Sequence, residues 1–308
     1  MAQTVHRVKA STQYKREHKA DYGKEKIKIL YQDKDIVVIV KPTGLLSVPY
    51  PGSKVRTAIE LLEKIMRNNG SWSSSHRPFV VHRLDRDTSG VMMFALSEAV
   101  QKKVMDSWHT MVKERLYHAV AENPRNPKNA LSDEGLIDDE LAQNAFHVGY
   151  VPKKGEKNVK TVCARTHYKI LYRGKTHSLF ELELDTGKKN QIRAHLSSKG
   201  YPLAGDENYR AHTDPFHRLA LHARTLAFVH PVTGEFMRFE DAEDEYWLEY
   251  IKKGDEHPAT PIWETERKAY RQDKSQSDEV KEDKEPHIIS SKKLRSMDFI
   301  ERGKNFRG

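Results

Sequence analysis

The sequence predicts a mixed domain of strands and helices, and three observations carry that prediction. Apolar runs of strand length recur along the chain, one of them with clear period-two alternation. Other segments place their apolar residues at helical spacing. Turn-forming residues separate two of the strand runs closely enough for a hairpin. At 308 residues the chain has room for one larger mixed domain with tails.

Taken in order, the elements read as follows. Two apolar runs, 27–31 and 36–40, are broken by Gln32-Asp33-Lys34-Asp35 and predict a short β-hairpin. Residues 41–49, with Pro42, Gly44 and Pro49, form an irregular loop expected to border a cleft. Within 56–69, Ile59, Leu62, Ile65 and Met66 share a helical face, and Gly70 is placed to end that helix. Apolar runs on both sides of the polar patch in 80–96 read as buried strands. Ser97 is expected to cap a helix to about Met111, with Val100, Val104, Trp108 and Met111 on its inner face.

A strand over 115–121 carries Tyr117, and 122–160, rich in Asn, Pro, Lys and Gly, reads as loops. Strands return at 161–172 and 178–186, where Phe180, Leu182 and Leu184 alternate with Glu181 and Glu183. Gly187 interrupts the run, and a short helix is expected from Gln191, capped by Asn190 and closed by Gly200. Strands at 219–228 and 236–239 and a helix over 244–253, with Trp247 and Ile251 inward, complete the domain.

Composition assigns the rest. Hydrophobic residues make up 37% and charged residues 31%, a shift that suggests solvated tails. We divide the chain into a flexible basic arm (1–25), a catalytic domain (26–255) and a charged, disordered tail (256–308). A net charge of +9 favours a polyanionic partner, nucleic acid above all. The longest apolar runs, 36–40 and 91–96, fall far short of the ~20 residues that span a bilayer. There is no signal-peptide pattern at the start, and the single cysteine, Cys163, offers neither a disulfide nor a cysteine-based zinc site. A cytoplasmic protein is expected. No phosphate loop, dinucleotide fingerprint, metal-ligand spacing among the sixteen histidines or nucleophile elbow is present, so neither a cofactor nor a metal is expected.

What remains is carboxylate chemistry or plain binding, and it centres on Val80-Val81-His82-Arg83-Leu84-Asp85-Arg86-Asp87-Thr88-Ser89-Gly90. Positive charge on both sides of Asp85 favours its ionised form, which suits a nucleophile or electrostatic stabiliser better than a general acid. The same residues also fit an ordinary β-turn with its arginines in water. Lys188 and Lys189, beside a helix N-terminus, fit either a phosphate site or a solvated face.

These residues carry a resemblance. His82-Arg83-Leu84-Asp85-x-x-Thr88-Ser89-Gly90 is preceded by Lys41-Pro42-x-Gly44 and followed by Tyr117, Gln191-Ile192-Arg193-x-His195-Leu196 and Leu221-His222-Ala223. With Gly205-Asp206-x-x-Tyr209 and His230-Pro231, the set resembles the RluA-type pseudouridine synthase family, in order, from about Ile27 to Ile251. The resemblance implies the fold class: an α+β domain with the pseudouridine synthase fold, a mixed, largely antiparallel sheet with flanking helices and a central catalytic cleft. It implies isomerisation of uridine to pseudouridine in the stem-loops of rRNA or tRNA by a monomer, without cofactor or metal. Asp85 falls on the family's catalytic aspartate, Tyr117 on its active-site tyrosine, and Arg193 on its basic residue, expected to pair bidentately with Asp85. Moving uracil from an N1 to a C5 linkage breaks a glycosidic bond, so the carboxylate can attack or stabilise the anomeric carbon; proton removal from the sugar is equally open.

The target base must leave its stack. His82, Arg83 and Arg86 are then candidates to grip the RNA, with Lys41, Lys188 and Lys189 as further RNA contacts. One departure stands out: family members commonly carry Arg-Thr-His-Gln where this chain has Lys188-Lys189-Asn190-Gln191. Room for an S4 RNA-binding domain ahead of Ile27 is also lacking. A non-catalytic RNA-binding factor and a carbohydrate hydrolase are the rival readings; the first is opposed by the joint presence of Asp85, Tyr117 and Arg193, the second by the basic charge.

Overall fold

The first hairpin forms as its pattern requires. Strands β1 (Lys28–Gln32) and β2 (Ile36–Lys41) pair antiparallel, Lys28 opposite Val40. Asp33 closes the turn by accepting the Asp35 and Ile36 amides at Oδ1, both at 2.8 Å. The computed structural model describes residues 27–254 apart from 51, 53, 54, 146, 154, 157 and 158; the expected basic arm 1–25 and the tail 256–308 lie outside them.

Helix α1 (Ala58–Asn68) starts at a capping box: Thr57 Oγ1 accepts the Glu60 amide and Glu60 accepts the Thr57 amide. Strand β3 (Phe79–Val80) lies along β4 (Ser89–Ala95), and β4 pairs with β2. Helix α2 (Glu98–Met111) is capped by Ser97, as the sequence predicts. The two helices cover opposite faces. Leu62, Ile65 and Met66 of α1 pack with Val37, Ile39, Met92 and Phe94, and Val100 and Val104 of α2 pack with Ile36, Val38, Val91 and Met93. Burial on both faces explains why 36–40 and 91–96 read as continuous apolar runs rather than alternating ones.

The chain then crosses to the other half of the sheet. Strand β5 (Val112–Glu122) is followed by β6 (Glu134–Ile137), the small ribbon β7 (Ala142–Gln143) and β8 (Gly149–Tyr150), β9 (Thr166–Arg173) and β10 (His177–Leu184). Helix α3 (Gln191–Ser198), β11 (Leu221–Val229), β12 (Phe236–Glu240) and α4 (Tyr246–Lys253) follow. Ten strands form one sheet, ordered β1-β2-β4-β11-β5-β10-β9-β6, with β3 on β4 and β12 on β11. Ile192 and Leu196 of α3 cover one face with Phe180 and Leu182; Trp247 and Ile251 of α4 cover the other with Val120 and Leu179.

All these pairings are antiparallel except one. β4 and β11 run parallel, Gly90 opposite Ala223, and this junction joins the two halves. A Cβ on Gly90 would lie 2.2 Å from the Ala223 carbonyl oxygen, and its φ is +120°, so only glycine allows the approach. Among the described residues no helix is long and apolar enough to cross a membrane.

Candidate active site

The junction creates the site. Strand order places β4, with the loop that precedes it, one strand away from β5, and the two face each other across a cleft of about 450 Å³. That volume lies in the range of small-ligand clefts, ~300–1,000 Å³. Asp85, Tyr117, Asn190 and Arg193 all line it, with Arg83, Arg115 and Lys188 adding positive charge. Two of the three predicted catalytic residues come from opposite halves, and the third, Arg193, comes from α3.

Asp85 lies in the loop before β4, not on the strand, and is half-buried. The loop is pinned by the Lys41-Pro42 segment. Lys41 Nζ donates to the carbonyls of Pro42, Leu45 and Arg86 at 2.7–3.0 Å. Thr43 Oγ1 donates to Asp87 O at 2.8 Å, and Ser47 Oγ donates to Leu84 O at 2.7 Å while accepting the Leu84 amide. The backbone on both sides of Asp85 is therefore held while its carboxylate stays in the cleft. The 41–49 loop supports the cleft from behind and does not line it.

This corrects Lys41. Its side chain is fully buried, so it cannot offer an ammonium to a phosphate. Burial pulls its pKa down to about 7, against the pull of Asp87. Sequence reasoning counted it with the exposed cations because nothing local distinguishes a buried lysine whose three protons meet three carbonyls.

The expected Asp85–Arg193 pair is also corrected. Arg193 Nε and NH2 reach Asp206 Oδ2 and Oδ1, each at 2.7 Å, a bidentate pair that is almost wholly buried. The Tyr209 ring lies 4.9 Å from the guanidinium carbon. Burial works against the Arg193 charge, but Asp206, and to a lesser degree Asp85, raise its pKa. Arg193 thus acts on Asp85 through its field, not through a hydrogen bond.

The side chain that touches Asp85 is Asn190, whose Nδ2 donates to Asp85 Oδ2 at 2.7 Å. Asn190 was expected to cap α3; it sits at the cap position in a left-handed conformation (φ 56°) and its side chain makes no cap bond. Gln191 fixes the same loop, accepting from the Lys188 amide and Thr186 Oγ1 and donating to Arg165 O and Thr166 Oγ1.

Tyr117, half-buried on β5, sits between Leu182 of β10 and Ala223 of β11. Burial raises the phenol pKa, Arg115 opposes this and Asp85 adds to it, so the hydroxyl keeps its proton at neutral pH. Arg115 went unnoticed in the sequence. Its signal is the period of two, which puts it on the same face of β5 as Tyr117. Arg115 donates to Leu184 O at 2.6 Å at the wall of the cleft.

The other predicted RNA contacts divide. Arg83 and Lys188 are exposed on the cleft wall; Lys189 and Arg86 are exposed outside it, Arg86 in an ion pair with Asp87 at 2.9 Å. His82 lines the cleft, but its Nε2 accepts the Met93 amide at 3.0 Å and its ring packs 5.0 Å from Trp108. Burial, helped by Arg115, pulls its pKa down to about 3, so it is a neutral wall and not a cation. Trp108, read as core, forms that wall with it.

Fold and cleft together define a class: an enzyme that presents one carboxylate, a protonated tyrosine and a set of guanidinium groups at a seam in a mixed sheet. Residues 35–198 match the model of the family described as RNA pseudouridylate synthase. An RNA pseudouridine synthase of Bacillus subtilis, named as uncharacterised, is 33% identical over 230 residues, covering 73% of this chain and 71% of its own length. Ribosomal large subunit pseudouridine synthase D of Pseudomonas aeruginosa is 32% identical over 238 residues, covering 72% of this chain and 70% of its own length. The solved structure of human RNA pseudouridylate synthase domain containing 4 has the same fold, with a TM-score of 0.56 at 22% identity over 73% of this chain and 92% of that one. The chain belongs to the RNA pseudouridylate synthase family, as its RluA-type motifs imply, and is an RNA pseudouridine synthase, an isomerase that acts on RNA.

Proposed function

We propose that the catalytic unit, residues 26–255, isomerises uridines in structured ribosomal RNA, as a cytoplasmic monomer, with Asp85 as the catalytic carboxylate. The observation that carries the reading is the placement of Asp85: half-buried in the cleft, its backbone pinned on both sides, with Tyr117 and Arg193 across from it. The reaction breaks the N1–C1′ bond, turns the base and forms a C5–C1′ bond; the C5 proton leaves and N1 takes one up, so the change is a net isomerisation. Attack on C1′ and proton removal from the sugar both begin from a carboxylate beside the ribose, which Asp85 supplies. Tyr117, which keeps its proton, offers a ring face to the uracil rather than a phenolate base.

The exposed Arg83, Arg86, Lys188 and Lys189 fit the phosphates and unstacked bases around an extruded nucleotide. Ribosomal RNA is favoured over transfer RNA because relatives sharing about a third of the aligned residues are named for the large ribosomal subunit. Purified protein incubated with unmodified large-subunit rRNA and with tRNA transcripts tests this. Pseudouridine at discrete rRNA positions is expected; product in tRNA alone would reject the rRNA assignment.

A further inference from the structure

The Lys188-Lys189-Asn190 segment departs from the family pattern at the residue that touches the catalytic carboxylate. Asn190 is itself held from its other side. The residue is 9% exposed, and its Oδ1 accepts the Gly149 amide at 3.4 Å, so that the Nδ2 end of the side-chain amide faces Asp85. Gly149 is clamped in turn. Its carbonyl accepts the Tyr209 hydroxyl, and a Cβ on it would lie 2.5 Å from the Lys189 carbonyl oxygen, so only glycine lets β8 approach this closely. Tyr209 also lies against Arg193, which pairs with Asp206. The ribbon β7–β8, inserted far from Asp85 in sequence, is thereby linked to it through one asparagine.

We infer that Asn190 is a positioning residue for catalysis: held by Gly149, its amide fixes Asp85 through Oδ2 and leaves Oδ1 to meet the nucleotide. No hydrogen bond to Oδ1 is present among the described residues, and Oδ2 is occupied by a donor that carries no charge at any pH. The inference rests on the assignment of Asp85 as the catalytic carboxylate.

Two substitutions separate the amide from the backbone. Asn190→Gly keeps the left-handed conformation without strain and deletes the amide. Its kcat should fall on the order of 100-fold, with KM for RNA within about twofold of the parent, while unfolding stays cooperative with a melting temperature only a few degrees lower, since the Gly149 amide loses its acceptor. Asn190→Asp retains the shape but sets two carboxyl groups at hydrogen-bond distance, which share a proton. Arg83, Arg115 and Lys188, which line the same cleft, and Lys41, Tyr117, Arg193 and Tyr209, which feel the charge of Asp85, are unaltered in it. The shared proton restores the donor, so turnover of Asn190→Asp should rise as pH falls, a dependence the parent lacks. Parental kcat in Asn190→Gly, or a parental pH profile in Asn190→Asp, overturns the inference. Asp85→Ala, measured alongside, distinguishes the failures: if it stays active, the assignment of Asp85 falls, whereas if it is dead while both Asn190 variants match the parent, only the role of Asn190 falls.

Discussion

Asp85, Arg193 and Lys41 show how far local charge can mislead. Asp85 is flanked in sequence by Arg83 and Arg86, yet Arg83 is exposed and Arg86 pairs with Asp87. Arg193 is committed to Asp206, and the direct partner of Asp85 is the neutral Asn190. A buried ion pair is costly to break from one side, about 3–5 kcal/mol, because the remaining charge loses its compensation. Asp206→Asn should therefore lower the free energy of unfolding by about that amount, read by chemical denaturation. A denaturation midpoint equal to the parent would show that Arg193 has another partner. In active folded protein, Arg193→Lys should also lower turnover, since a lysine cannot keep the two-point contact.

At the level of elements, the hairpin, α1, α2 and α4 were legible because hydrophobic periodicity and cap residues act locally: Ser97, Gly70 and Gly254 stand where the helices begin and end. The site was legible only as a set of residues. Asp85, Tyr117 and Arg193 do meet in one cleft, but which side chain contacts which depends on β4 and β11 lying parallel, a long-range pairing with no local signature. Asn190 illustrates the difference. A polar residue before a helix reads as a cap, whereas its left-handed backbone and the approach of Gly149 turn its amide towards Asp85. Gly90 is the element-level test. Gly90→Ala would drive a methyl into the Ala223 backbone and part the strands, so loss of the cooperative unfolding transition, or a melting temperature many degrees lower, is expected. A melting temperature within a degree or so of the parent would mean that the β4–β11 seam can open without cost.

Across the whole molecule, the two halves of the sheet are held by the β4–β11 seam, and within the second half a partly buried polar cluster ties β5 to β11. Glu243 accepts from His118 of β5 at 2.8 Å and from Arg224 of β11 at 2.6 Å. Burial raises its pKa, but these hydrogen bonds outweigh burial and bring it from 4.5 down to about 2. A carboxylate depressed in the folded state stabilises the protein above its unfolded pKa. That contribution should be complete above about pH 4.5 and fade as pH falls through about 2. Glu243→Gln should be less stable than the parent at neutral pH and lose less stability on acidification. Parallel stability–pH curves for the two proteins would contradict this.

In the proposed reading the chemistry rests on one carboxylate, Asp85, and single-turnover formation of pseudouridine by Asp85→Asn on an rRNA fragment that the parent modifies tests that most directly. The substitution keeps the shape of the side chain, so RNA affinity should remain within about twofold of the parent while no pseudouridine forms above the uncatalysed background. Product appearing at the parental rate would contradict the assignment of Asp85 as the catalytic group.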